Sequence, residues 1–339
     1  MNERYSRQTL FSPIGEAGQR KIRDKHVLIL GAGALGTGNA EALVRAGIGR
    51  LTVVDRDYVE WSNLQRQHLY SERDAEDRIP KAVAAKQRLS EVNSDVQVDS
   101  YVMDATPSEM ERLLDDVDLM IDATDNFDAR MMMNDLSQKY QIPWIYGACV
   151  SSYGISYTIL PGETPCLNCL LDQVPRGGMT CDTAGIISPA VQMVVAHQTV
   201  EAMKILVEVW EAVSRKLVSF DLWQNQYTSI DVSRMKKESC LSCGDDPAYP
   251  FLEYSQQMKT AVLCGRDSVQ IRPPADGEWN LEEVAGALAK QEGQVEQNPY
   301  LISFTTENKR IVLFKDGRAL IHGTQDETEA KTLYHRYFG

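Results

Sequence analysis

Apolar positions in the first 150 residues fall into short unbroken runs separated by segments with helical spacing. Residues 26–30 (HVLIL) form the first run, and a helical pattern at 34–46 follows, stopped by Gly47. Further runs lie at 51–54 (LTVV), 118–124 (DLMIDAT) and 143–150 (PWIYGACV), while 96–102 (VQVDSYV) alternates with period two. Helical patterns occupy 81–92, opened by Pro80, then 110–114 and 127–140. Uniformly apolar runs this short read as strands buried on both faces. Strands alternating with helices make a mostly parallel sheet covered by helices on each side. The expected class is α/β, Rossmann-like.

The pattern changes after residue 150. A strand is expected at 156–160, then a loop rich in Cys, Pro and Gly, a long helix at 190–209, and an antiparallel pair at 217–222 and 227–232. The segment 243–250 (CGDDPAYP) marks a boundary. Beyond it, strands are expected at 262–271, 300–305, 310–314 and 319–322, and helices at 281–291 and 327–337. Asn280 and Glu283 make a capping pattern for the first of these helices. The chain therefore divides into a main domain at 1–244 with an antiparallel extension, a linker at 245–258, and a small C-terminal α+β domain at 259–339 whose role is open. No internal repeat or low-complexity tract interrupts it.

Composition narrows the class. A formal charge of −13 over 339 residues argues against nucleic-acid or anionic-membrane partners, because phosphate backbones are held mainly by cationic surface. The N-terminal MNERYSRQTLF has no apolar signal region, and no run approaches the roughly 20 residues that span a bilayer. A soluble, cytoplasmic protein is expected, so its seven cysteines suggest metal or reactive thiols before disulfides.

Gly31, Gly33 and Gly36 form G-x-G-x-x-G directly after a strand and opening a helix. Such glycines allow a tight turn and close approach of phosphate to a helix N-terminus, although they can serve packing alone. Asp55 ends the second strand, where an acid can hold ribose hydroxyls. Alone, this suits NAD as well as ATP. Next come Asn63, Arg66 and Gln67 in SNLQRQ, and Lys81 follows. Two cations near a glycine loop suit a triphosphate, though Arg66 can also be read as ordinary charged surface. Asp125 and Asn126 end the fourth strand, where ligands of open α/β sheets lie, so Asp125 is either a magnesium ligand beside a phosphate or a turn aspartate.

The pairs Cys166-x-x-Cys169 and Cys240-x-x-Cys243 can together close a four-thiolate zinc site, structural because no position is left for water; a thioredoxin-type redox pair is the alternative. Cys149 and Cys264 lie in apolar strands and read as core. Cys181, in PRGGMTCDTAGIISP, is either an inert loop residue or a nucleophilic, sulfur-accepting thiol.

In order along the chain, RYSRQ, GAGALG, D-x-D with SNLQRQ, PK, ATDN, PC-x-x-C, TCDTAG and a final C-x-x-C are similar to the motifs of the bacterial E1-like adenylyltransferases, the ThiF/MoeB/HesA family. The resemblance covers about residues 1–244. It implies a homodimeric enzyme that uses ATP and Mg²⁺ to adenylylate the C-terminal glycine carboxylate of a ubiquitin-fold sulfur carrier of ThiS or MoaD type, with structural Zn²⁺ and a cysteine desulfurase as a further partner. It implies that Asp55 holds the ribose, that Asn63, Arg66 and Lys81 contact the phosphates with Gln67 nearby, and that Asp125 binds magnesium. Asp57 and Asn126 belong to the matching motifs, and Arg7 would reach into the partner subunit's site. Ala34 departs from the loop of the molybdopterin enzymes, which carry a third glycine there; a methyl is tolerated if φ is negative. CDTAG after Met179 looks more like the thiazole enzymes. An NAD(P)-dependent oxidoreductase and a tRNA-directed ATP-dependent dehydratase are the competing readings.

Overall fold

A computed structural model describes residues 3–170, 184–253, 259–262, 267–272, 279–306 and 308–338. They fall into two compact units, the first running to residue 253 and the second from residue 259.

The first unit is built on an eight-stranded sheet: β1 (His26–Leu30), β2 (Arg50–Asp55), β3 (Gln97–Val102), β4 (Leu119–Asp122), β5 (Trp144–Val150), β6 (Tyr153–Ile159), β7 (Lys216–Asp221) and β8 (Gln226–Asp231). Their order is β3-β2-β1-β4-β5-β6-β7-β8. The first five are parallel and the last three antiparallel. Helices α1 (Gly15–Arg23), α2 (Ala34–Ala46), α3 (Lys81–Val92), α4 (Phe127–Tyr140) and α5 (Ser188–Leu206) surround it.

All five residues of β1 are buried, and their two-residue alternation explains why. Val27 and Ile29 pack with Leu43 of α2, Leu89 of α3 and Ala202 of α5. Leu28 and Leu30 face the other side, against Met131 and Leu136 of α4 and Trp144. Gly47 ends α2 in the left-handed region at φ 84°, donating to Leu43 O and Val44 O.

The helix expected at 81–92 is α3 with those bounds, and Pro80 is its N-cap. Other expected boundaries move. The short helix expected at 110–114 lies at Pro107–Glu111, started by the Thr106 side chain accepting from Glu109 N–H. The long helix begins at Ser188 and ends at Leu206, three residues before the expected end.

The second unit is an antiparallel six-stranded sheet in the order β11-β12-β13-β14-β10-β9. Its strands are β9 (Lys259–Val262), β10 (Ser268–Arg272), β11 (Gln294–Gln297), β12 (Leu301–Thr305), β13 (Arg310–Phe314) and β14 (Ala319–His322). Helices α6 (Leu281–Leu288) and α7 (Glu327–Phe338) supply Leu281, Leu288, Ala330 and Tyr334 to a core with Ile302, Phe304, Ile311 and Ile321. The single strand expected at 262–271 is two strands, β9 and β10, paired antiparallel. Cys264 and Cys181 lie outside the described residues.

Candidate active site and metal centre

Gly31 leaves β1 with φ 98°, its N–H donating to Val54 O of β2 at 2.8 Å. A Cβ on it would sit 2.4 Å from Ala123 O, the residue after β4. The loop is thus wedged between the carboxyl ends of β2 and β4. Gly36 is needed for packing too, since its Cβ would fall 1.9 Å from Gly31 O. Gly33 differs. Its φ is −80° and the nearest atom to its Cβ position is Gln67 Nε2 at 3.9 Å, so no protein atom requires a glycine there. It is the N-cap of α2, and no side chain caps that helix. What a side chain at Gly33 would fill is open space at a bare helix N-terminus, which attracts an anion. Ala34 is the first helical residue, outside the positive-φ region, so its methyl carries no strain.

Around the loop stand the other expected residues. Asp55 Oδ2 accepts from Ala32 N–H at 2.6 Å and Oδ1 from Asp57 N–H at 2.7 Å. Burial pushes its carboxyl up, against the pull of Lys81. Tyr70 braces the same loop through a 2.6 Å hydrogen bond to Ala32 O. Lys81 is only 4% exposed, with Nζ 3.4 Å from Asp57 Oδ2. Gln67 is equally buried, and its Oε1 has no hydrogen-bond partner among the described residues. A buried amide aimed toward Gly33 with an unused acceptor marks a place for a donor, such as a ribose hydroxyl or an ordered water. Arg66 is half-buried, its Nη1 donating to Ser62 O.

Two asparagines have a structural occupation. Asn63 Oδ1 accepts from Glu60 N–H at 3.0 Å, completing a capping box on the turn Trp61–Asn63. Asn126 Oδ1 caps α4, accepting from Asp128 N–H and Ala129 N–H. Their Nδ2 groups take no part in these caps.

Asp125, next to Asn126 in sequence, is exposed, and its charge acts on both Arg56 and Arg130. The charged groups at the ends of β2 and β4 are therefore electrostatic neighbours, at the strand ends whose crevice holds the ligands of open α/β sheets. Among them is a pair that sequence reasoning missed: Arg130 Nε meets the fully buried Asp122 at 2.9 Å. Arg130 Nη2 also donates to Thr124 O at 2.6 Å, and Asp122 Oδ1 accepts from Thr124 N–H and hydroxyl. These bonds fix the backbone at Thr124, immediately before Asp125. An aspartate closing the apolar run LMID was the available signal, because a buried carboxylate demands a partner.

Arg7 is not brought to this crevice within its own chain. It is exposed in the short helix Ser6–Thr9. Its neighbours anchor at the far end of α2: Gln8 donates to Ala46 O, and the Tyr5 ring fills the space a Cβ on Gly47 would take. Thirteen helical residues, about 20 Å, separate that anchor from the glycine loop.

The four cysteines of the two C-x-x-C pairs converge. Their Sγ atoms all lie within 4.8 Å of one another, with Cys166–Cys169 at 3.9 Å, Cys166–Cys240 at 3.7 Å and Cys169–Cys243 at 3.5 Å. A tetrahedron of 2.3 Å Zn–S bonds has edges of about 3.8 Å, so the spacing fits zinc. The thiols respond to this crowding. The hydrogen bond between Cys166 and Cys169 drives the Cys166 thiol up and pulls the Cys169 thiol down. Among the described residues this is the one group of three or more metal-ligating side chains. A magnesium ion at Asp125 would take its remaining ligands from phosphate and water.

A parallel sheet with a glycine loop at the carboxyl end of its first strand, extended by antiparallel strands and carrying a four-cysteine centre, defines a nucleotide-binding α/β class. The ThiF family model matches residues 5–242, and the chain belongs to the ThiF family. It is 52% identical over 340 residues to the sulfur carrier protein ThiS adenylyltransferase of Bacillus subtilis (strain 168), covering all of both chains. It is 32% identical to the molybdopterin-synthase adenylyltransferase of Escherichia coli (strain K12), over 71% of this chain and 96% of that one. Among solved structures, E. coli MccB aligns with a TM-score of 0.63 at 22% identity, covering 76% of each chain, and shows the same fold.

Proposed function

We propose that this protein adenylylates the C-terminal carboxylate of a ubiquitin-fold sulfur carrier of ThiS type, consuming ATP and releasing pyrophosphate. The observation that carries this reading is the 52% identity to a ThiS adenylyltransferase along the entire chain, against 32% to the molybdopterin relative.

The crevice supports the chemistry. A terminal carboxylate has a pKa of about 3.5 and arrives ionised, so the reaction needs no general base. The work is to hold the α-phosphate in line and to neutralise the departing pyrophosphate. The bare N-terminus of α2 and the open face of Gly33 would receive phosphate. Lys81 would exchange Asp57 for a phosphate oxygen, Arg66 would add a second cation, Asp55 and Gln67 would bind ribose, and Asp125 would hold Mg²⁺. Arg7 is assigned to the partner subunit's crevice in a homodimer, a reading supported by its anchor at the far end of α2. The neighbouring Leu10 and Phe11, 73% and 60% exposed, offer apolar surface for such a contact. Zinc held by Cys166, Cys169, Cys240 and Cys243 would be structural, and Cys181 would carry the transfer step that follows adenylation.

ATP–pyrophosphate exchange with purified ThiS-type and MoaD-type carriers tests the reading. Exchange driven by the ThiS-type carrier is expected. Exchange with the MoaD-type carrier alone would reassign the client, and exchange with neither would overturn the activity.

A further inference from the structure

Beneath the four cysteines, α4 carries two fully buried polar residues side by side, Asn134 and Asp135. Asn134 Oδ1 accepts from the backbone N–H of Leu167, inside the first C-x-x-C, at 2.7 Å. Asp135 takes the hydroxyl of Ser242, inside the second C-x-x-C, and its Oδ2 accepts from Phe251 N–H at 2.9 Å, just beyond that limb. The limbs are also joined directly, since Asn168 Nδ2 donates to Ser242 Oγ at 3.1 Å. Asn134 Nδ2 reaches Asp135 Oδ1 at 3.4 Å and closes the circuit. No cysteine sulfur takes part in these bonds.

This arrangement is costly unless it serves the limbs. The neighbouring Met131 and Leu136 of α4 lie in an apolar core, where a leucine or methionine would be cheaper than a buried carboxylate. The described contacts of this polar pair go to the two cysteine limbs, to Phe251 and to each other. The limbs need such support. They come from segments 74 residues apart, yet a tetrahedral thiolate site holds its distances to within about 0.2 Å.

We propose that Asn134 and Asp135 are the outer clamp of the metal site, holding both C-x-x-C limbs at tetrahedral spacing from a single turn of α4. The proposal rests on the zinc reading above and adds to it residues that bind no metal themselves. Losing such outer partners costs metal sites about 10- to 100-fold in affinity.

The test is the rate at which zinc-loaded full-length protein releases its metal to a chromogenic chelator. Asn134→Ala and Asp135→Ala are expected to release zinc about 10- to 100-fold faster than wild type. Leu89→Ala, a core cavity on the opposite face of the sheet, controls for general destabilisation and should release zinc far more slowly than either. Should the alanine variants not fold, Asp135→Asn keeps the volume and one acceptor, and a several-fold faster release is expected from it. Release at the wild-type rate, or no faster than from Leu89→Ala at matched thermal stability, overturns the clamp while leaving the metal in place. Wild-type protein that holds no zinc overturns metal and clamp together.

Discussion

Gly31 and Gly33 lie two residues apart in one motif, yet the structure gives them opposite reasons to be glycine, and alanine substitutions separate the two. At Gly31 a methyl group meets Ala123 O at 2.4 Å and its carbonyl carbon at 2.7 Å, in a backbone with φ 98°. The left-handed conformation costs an L-residue about 1–2 kcal/mol, and the overpacking about 1–3 kcal/mol more. Gly31→Ala should therefore lose about 2–5 kcal/mol. At roughly 2–4 °C per kcal/mol for a unit of this size, the midpoint of thermal unfolding should fall by roughly 4–20 °C. At Gly33 the methyl meets nothing closer than 3.9 Å and φ is negative, so only a poorer N-cap is at stake, about 1 kcal/mol. The same methyl stands where the phosphates would approach. Gly33→Ala should keep a near-native melting curve while its KM for ATP rises at least tenfold, equivalent to about 1.4 kcal/mol of lost binding. Thermal unfolding followed by fluorescence, with pyrophosphate exchange over a range of ATP concentrations, reads both quantities. A Gly33→Ala protein with wild-type KM for ATP would refute the idea that this face of the loop receives phosphate.

Other outcomes follow from the same geometry. Asp125→Ala and Arg66→Ala should each lower pyrophosphate exchange by about 10²–10³ with the fold intact, and near-wild-type exchange by either removes that residue from the mechanism. Elemental analysis should find one zinc per chain, and Cys166→Ser should lower thermal stability more than the rate per folded molecule, because a closed site has no open coordination position. Mixing Arg7→Ala with Asp125→Ala subunits should restore one working site per heterodimer, about a quarter to a half of wild-type activity; no recovery with confirmed subunit exchange excludes action in trans. Mass spectrometry under non-reducing conditions, after incubation with ATP, carrier and a cysteine desulfurase with cysteine as the sulfane-sulfur donor, should find a carrier adduct or persulfide on Cys181, and a clean thiol beside normal thiocarboxylate formation would end that role.

The parts of the fold that can be read from the chain are those where burial is uniform. The run HVLIL is buried at every position, and LMID likewise, so periodicity and composition agree there. Elements held by backbone pairing or by few apolar contacts leave little trace. β11, QVEQ, is polar and mostly exposed and is held by its ladder to β12. α1 buries only Gly18 and Ile22 among charged neighbours. The same division runs through the crevice. Its glycines, acids and cations announce themselves by type and order, whereas the local work of Asn63 and Asn126 as caps depends on turns that a motif does not encode. The bond from Arg130 to Asp122 joins a strand end to a helix across the turn between them, whereas the strand and helix periods each hold only within one element.

The spacing of the cysteine pairs has a consequence for synthesis. Cys166 leaves the ribosome 74 residues ahead of Cys240. At about 5–20 residues per second, the first pair waits roughly 4–15 s for the second. During that interval α4 is already complete and Asn134 can seat the first limb, but two thiolates alone cannot close a tetrahedral site. A nascent chain therefore passes through a half-built stage in which Cys166 and Cys169 are open to oxidants or to a borrowed cation. The fourth thiol arrives only once the β7–β8 hairpin has been made, so a metal held by all four would be captured late in the birth of the enzyme.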